Sequence, residues 1–185
     1  DAWAGEDHTI GKAYGYQLGK KYRFRQGIMD QVDNVIWQLK HTPSSRRIMT
    51  NIYNFEDLAD MGLEPCAYSM TFNVTGNRLN AILNQRSQDV LVANNWNVVQ
   101  YAVLVHMLAQ VCGFEPGELV HVIADAHIYD KHIPLIQELI ERTQYPAPKF
   151  IMNPDVKDFY DFRLEDFRLE NYQAGPQITN IPVAE

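Results

Sequence analysis

Cysteine is scarce in this 185-residue sequence: Cys66 and Cys112 are the two it has, and they form no CxxC pair. That argues against a thiolate zinc site and a disulfide framework, and points to a reducing, cytoplasmic setting. Basic residues are outnumbered, with 16 Lys and Arg against 23 Asp and Glu and a net charge of -7. A general nucleic-acid surface needs the opposite balance, although a local basic pocket for one phosphate is compatible with it. Long apolar runs are missing, so no segment reads as a membrane span. Asp1 to Gly11 has no basic stretch followed by an apolar core, so no secretory leader is expected there. A Gly-rich phosphate loop, HExxH and Gly-x-Ser-x-Gly are all absent. What remains is an ordinary globular composition, 46% apolar and 21% charged, long enough for a sizeable core.

The elements follow from periodicity. Residues 1–26 are polar and aromatic and read as loop with a short ordered piece. Ile28, Met29, Val32, Val35, Ile36 and Leu39 recur at helical spacing, and Pro43 ends that helix region. A short strand is expected over Arg47–Tyr53 and one or two helical turns over Glu56–Met61. Cys66–Val74 and Leu79–Gln85 alternate and are joined by Thr75, Gly76 and Asn77, which predicts a hairpin. With Asn94 or Asn95 as cap, a helix apolar on most sides runs to about Cys112, where Gly113 and Pro116 stop it. Its all-round apolarity predicts a buried central helix. Leu119–Ala126 reads as a strand, Ile133–Arg142 as an amphipathic helix, and the proline-bearing tail beyond Tyr145 as short strands and loops. The pentapeptide Asp161–Glu165 recurs as Asp166–Glu170; that is too short for a solenoid and reads as coincidence on a solvated segment. No linker divides the chain. One domain over residues 1–185 is expected, of α/β (α+β) class, with a mixed sheet packed around the central helix.

Several residues could carry chemistry. Cys66, after Pro65 at the head of a strand, reads as a small buried hydrophobe or as a thiolate nucleophile needing positive charge nearby. Arg46, Arg47 and Arg86 read as solvated surface or as guanidinium forks for a phosphate, with Ser87 as a further donor. Asn97, one turn into the apolar helix, either helps to cap it or presents donor and acceptor to a pyrimidine edge. Asp125, His127 and Tyr129 could hold sugar hydroxyls or form an internal polar group. Residue types alone lead as far as a phosphate and polar-ring site with a cysteine.

Order along the chain leads further. Gly11-Lys-Ala-Tyr14-Gly15, Ser45-Arg46-Arg47-Ile48, Pro65-Cys66, Asn84-Gln85-Arg86-Ser87-Gln88-Asp89-Val90, Trp96-Asn97, Asp125-Ala-His127-Ile-Tyr129 and Pro182-Val183-Ala184 follow one another. Each is weak alone. In this order the chain resembles the thymidylate synthase family over essentially its whole length. The resemblance implies a methyltransferase of dTMP biosynthesis, converting dUMP to dTMP with 5,10-methylenetetrahydrofolate as co-substrate and no metal. It implies Cys66 as the nucleophile toward C6 of uracil and Tyr14 in proton removal from C5. Gln85, Arg86, Ser87 and Gln88 match the substrate and phosphate stretch. Asn97 matches the reader of the uracil edge, and His127 and Tyr129 the ligands of the sugar hydroxyl. Asp89, Trp3 and Ala184 match folate contacts. Arg46 and Arg47 match a pair that reaches into the partner's site of a homodimer.

The chain departs from the family's pattern in places. Ala67 stands where His usually follows the cysteine, Ala93 replaces a glycine beside the folate, and the tail ends in Glu185 rather than an apolar residue. The family's N-terminal part, with an arginine loop and the general-acid glutamate, has no counterpart here, so a fragment or partly recorded chain is expected. Two rivals stay on the same scaffold. A dCMP-hydroxymethylating relative would want Asp in place of Asn97. A non-catalytic RNA-binding module would not need Cys66 and would not favour the acidic charge.

Overall fold

The computed structural model describes residues 8–183. A short helix, α1 (Gly15–Gly19), leads into a hairpin of β1 (Tyr22–Phe24) and β2 (Gly27–Met29). Helix α2 (Gln31–His41) starts later than its apolar spacing suggests. The Asp30 carboxylate accepts from the Asp33 amide and caps the helix, while Ile28 and Met29 are drawn into β2. Next come β3 (Met49–Asn51), β4 (Ala67–Thr75), β5 (Arg78–Gln85) and the two-residue β6 (Gln88–Asp89). Helix α3 (Asn94–Cys112) then crosses to β7 (Glu115–Ile123) and the two-residue β8 (Ala126–His127). Helix α4 (Ile133–Glu141) is followed by β9 (Lys149–Met152) and β10 (Phe167–Glu170), an antiparallel pair. Among the described residues no helix is long and apolar enough to cross a membrane.

The main sheet has the order β3-β4-β5-β7. The β4–β5 hairpin is the one that alternation predicts, and β7 joins β5 in parallel, which requires the α3 crossover. Strand β7 begins at Glu115, earlier than expected, because it lies at the sheet edge where Pro116 forfeits no needed bond. Met70 and Phe72 of β4 and Leu79, Ala81 and Leu83 of β5 point to one face. There they meet Val35 and Leu39 of α2 and Tyr101, Val105 and Leu108 of α3, all buried. The opposite face carries two uncharged rows: Met49, Thr71, Ile82, Val120, then Asn51, Ser69, Asn84, Val122. Its four apolar side chains are between 38% and 49% exposed.

Three expectations need correction. Helix α3 is buried along one face only; Trp96 is 70% and Val99 58% exposed. Neither Asn94 nor Asn95 caps it: Ala93 holds the cap position, and the Asp89 carboxylate takes the Leu91 and Val92 amides just before it. The repeated pentapeptide is not simply solvated. Phe162 and Phe167, one from each copy, stack at 5.4 Å, and Phe167 stacks on Phe150 at 6.2 Å.

Candidate active site

Sheet topology brings distant segments to one edge. Strand β4 starts where β5 ends, with Ala67 opposite Gln85, and β5 and β7 run parallel to a shared end at Gln85 and Ile123. Loops leaving the ends of parallel strands are where ligands settle in such sheets. The two small strands continue the pairing, Gln88 beside Ala126 and Asp89 beside His127. Cys66, Arg86–Asp89 and Asp125–Tyr129 therefore lie together, and α3 begins from the same edge with Asn97 in its first turn.

Backbone and guanidinium lock the cysteine in place. The Cys66 amide donates to the Tyr14 hydroxyl at 3.0 Å, and its carbonyl accepts from the Arg86 amide at 2.9 Å. The Arg86 side chain donates to the Pro65 and Glu64 carbonyls at 3.1 and 2.9 Å, so its charge is fixed against the residues preceding Cys66. A cation held there is what a thiolate needs. Burial pushes the Tyr14 phenol up, and its backbone sits at φ 40°, unusual for a residue with a side chain. The other cysteine is in the opposite situation: burial pushes the Cys112 thiol up to about 11, which suits an inert core position.

Around this pair the polar groups divide into committed and free. Gln85 and Gln88 are each 1% exposed and bound to one another, so their amides hold the segment from within. The Asn97 amide makes no hydrogen bond among the described residues and is half-buried. His127 meets Tyr129 edge-on at 5.0 Å, and its buried Nδ1 has no hydrogen-bond partner. Asp89 uses Oδ1 for the two amides before α3, and its other oxygen makes no hydrogen bond among the described residues. Ala67 is fully buried opposite Gln85, and Ala93 has φ -103° and ψ -13°, ordinary for a side-chain-bearing residue.

Arg46 and Arg47 are not brought here. They are exposed, in the segment before β3, and the pairing of Met49 with Thr71 sets them beside the far end of β4. At about 3.3 Å per residue that is roughly 20 Å from Cys66. Trp3 and Ala184 lie outside the described residues. Among the described residues no group of three His, Cys, Asp or Glu could hold a metal ion.

Sequence reading missed His132. It is 1% exposed, with Nε2 2.8 Å from the Pro182 carbonyl and Nδ1 4.0 Å from an Asp89 oxygen, and its ring meets Tyr129. Lys131 donates to the Val183 carbonyl at 3.1 Å. Together they tie the tail to the Asp89 side of the site. A lone histidine before a helix gives no pattern that would have revealed this.

Known proteins share this sequence and fold. The family profile described as thymidylate synthase matches residues 1–184. Thymidylate synthase from Bacillus licheniformis is 48% identical over 180 residues, covering 97% of this chain and 64% of that protein. Thymidylate synthase 1 from Bacillus amyloliquefaciens is 46% identical over 185 residues, covering 99% of this chain and 80% of its own length. A solved structure of thermostable thymidylate synthase A from Bacillus subtilis superposes with a TM-score of 0.89 at 45% identity, covering 95% of this chain and 64% of that one.

Proposed function

Since this chain belongs to the thymidylate synthase family, we propose that it serves the reductive methylation of dUMP to dTMP, with Cys66 as the nucleophile. The observation that carries this is the meeting of Cys66, the fixed Arg86 guanidinium and the Tyr14 hydroxyl at the head of β4. Uracil is a poor nucleophile at C5. A thiolate added at C6 makes C5 enolate-like and able to attack a one-carbon electrophile. Arg86, with Ser87, receives the phosphate. Asn97 offers acceptor and donor to the N3–H and O4 edge, and donors near O4 stabilise the charge that develops there. His127 and Tyr129 take the sugar hydroxyl, and Tyr14 is assigned to the proton that leaves C5. The co-substrate 5,10-methylenetetrahydrofolate supplies both the one-carbon unit and the hydride. Asp89 holds its pterin edge.

The proposal includes a homodimer. A second copy on the uncharged sheet face buries Met49, Ile82, Val120 and Val122, and it offers Arg46 and Arg47 a site they cannot reach in their own subunit. Two free cysteines fit a reducing, cytoplasmic setting.

The test is covalent trapping. Fluorine at C5 blocks the later proton loss, so 5-fluoro-dUMP with the folate should leave an adduct on the peptide that holds Cys66. An adduct on Cys112, or one that survives Cys66→Ser, overturns the assignment.

A further inference from the structure

His121 stands outside every motif singled out above. It lies on the edge strand β7, half-exposed, with its Nε2 2.8 Å from Gln85 Oε1. Gln85 is the last residue of β5, directly before Arg86 and Ser87. Its Nε2 faces the Ser87 carbonyl at 2.7 Å, and a carbonyl can only accept, so the amide orientation is settled. The second Nε2 proton goes to Gln88 Oε1. Gln88 is oriented independently, because its Nε2 faces the Asp89 carbonyl at 3.1 Å. Gln85 Oε1 is therefore an acceptor, and His121 Nε2 must carry the proton. The result is a one-directional relay: His121 donates to Gln85, Gln85 to Ser87 and Gln88, and Gln88 to Asp89.

The relay has no slack. Gln85 and Gln88 are each 1% exposed, so water cannot replace a lost partner cheaply. The segment it fixes runs through the arginine and serine assigned to the phosphate. The backbone bonds there, Ala124 amide to the Gln85 carbonyl, Arg86 amide to the Cys66 carbonyl and Gln88 amide to the Asp125 carbonyl, hold the residues on either side of Ser87 but not Ser87 itself. The Ser87 carbonyl is held by the Gln85 side chain. Nε2–H is present in the neutral tautomer and in the imidazolium alike, so the direction of the relay is the same in both.

We propose that His121 is a positioning residue for phosphate recognition, acting through Gln85 to set the Arg86–Ser87 turn. This rests on the dUMP reading of the site. It predicts a loss that falls on the phosphate and spares the base and sugar.

The experiment compares dUMP with deoxyuridine, which lacks the phosphate, on the full chain. Binding is read by calorimetry and, for the nucleoside, by competition. Gln85→Glu keeps the size but sets oxygens against the Ser87 carbonyl and Gln88 Oε1. His121→Phe keeps a ring and removes the donor, while His121→Gln restores an N–H. Gln85→Glu and His121→Phe should weaken dUMP by about tenfold or more and deoxyuridine by less than about twofold, with His121→Gln within about threefold of wild type. Equal weakening of both ligands, or a His121→Gln variant as impaired as His121→Phe, overturns the proposal. If Gln85→Glu does not fold, the two His121 variants decide alone, since that side chain is half-exposed at a sheet edge. A wild-type chain that binds neither ligand overturns the dUMP reading itself, and the relay's role with it.

Discussion

At the scale of single residues, chemistry is set by surroundings rather than by type. Two cysteines share one side chain, yet Cys112 is pushed toward inertness by burial while Cys66 has a fixed guanidinium beside its backbone. The same holds for amides. Gln85 and Gln88 spend all their polar atoms inside, whereas Asn97 has none engaged among the described residues. A half-buried amide with no hydrogen bond among the described residues fits the base-reading role proposed for Asn97. Uracil presents N3–H as donor and O4 as acceptor; cytosine presents the reverse. Asn97→Asp keeps the size and removes the donor. An unpaired buried group typically costs about 1–3 kcal/mol, so dUMP turnover should fall roughly tenfold or more. dCMP should lose little, which shifts the preference toward it. Unchanged dUMP turnover in a steady-state assay of this variant would place Asn97 outside the base-reading site.

At the scale of elements, one carboxylate joins several residues of the N-terminal segment to the loop after β3. Asp57 is 6% exposed and accepts from Gln17, Lys20 and Asn54 at 2.9, 2.5 and 2.8 Å, with Lys12 at 3.4 Å. The Gln17 amide and the Lys20 and Lys12 ammonium groups hold its pKa down from 3.8 to about 2. The unfolded chain therefore takes up this proton first. The contribution to stability is complete above the unfolded value and is lost as pH falls from 3.8 toward 2. Thermal unfolding across that window should show a steeper fall in wild type than in Asp57→Asn; parallel curves would mean that the cluster is not a folded-state anchor. The two lysines mirror it, raised by Asp57 and, for Lys12, first by Asp60, so their share is intact below 10.5 and fades above.

The main hairpin was legible because strict alternation flanks a Gly76 turn, and α2 because its apolar residues keep one spacing. Spacing alone does not encode the rest, which came from the resemblance or from the fold. Tyr14 and Cys66 meet across 52 positions, and Arg46 resembles Arg86 in type although the fold sets them at opposite ends of β4. His121 and His132 belong to no motif, and their acceptors appear only in the fold. Apolarity around α3 was real, but it does not say which side is covered.

At the scale of the whole molecule, the proposed role of Arg46 and Arg47 has to bridge roughly 20 Å along the strand. Within one subunit the main sheet forbids it, because β3 is hydrogen-bonded to β4 in a fixed register. A two-fold pair packed through the uncharged sheet face removes the obstacle, since each copy can present its exposed Arg46 and Arg47 to its partner. This makes a complementation prediction. Subunits carrying Arg46→Ala and Arg47→Ala keep Cys66 but supply no arginines; subunits carrying Cys66→Ala do the reverse. Each parent should be nearly inactive. Unfolded together and refolded in equal amounts, half the dimers are mixed, and each has one complete site, so activity should recover to about a quarter of wild type. A separate arm tests the surface itself. Ile82 lies in the row of the outer face between Thr71 and Val120, away from the site residues, and Ile82→Glu sets like charges across the two-fold axis. Sedimentation should show this variant as a monomer, and its activity should fall with the loss of the partner's arginines. Recovery no higher than either parent, or an Ile82→Glu monomer with full activity, would mean that each subunit completes its own site.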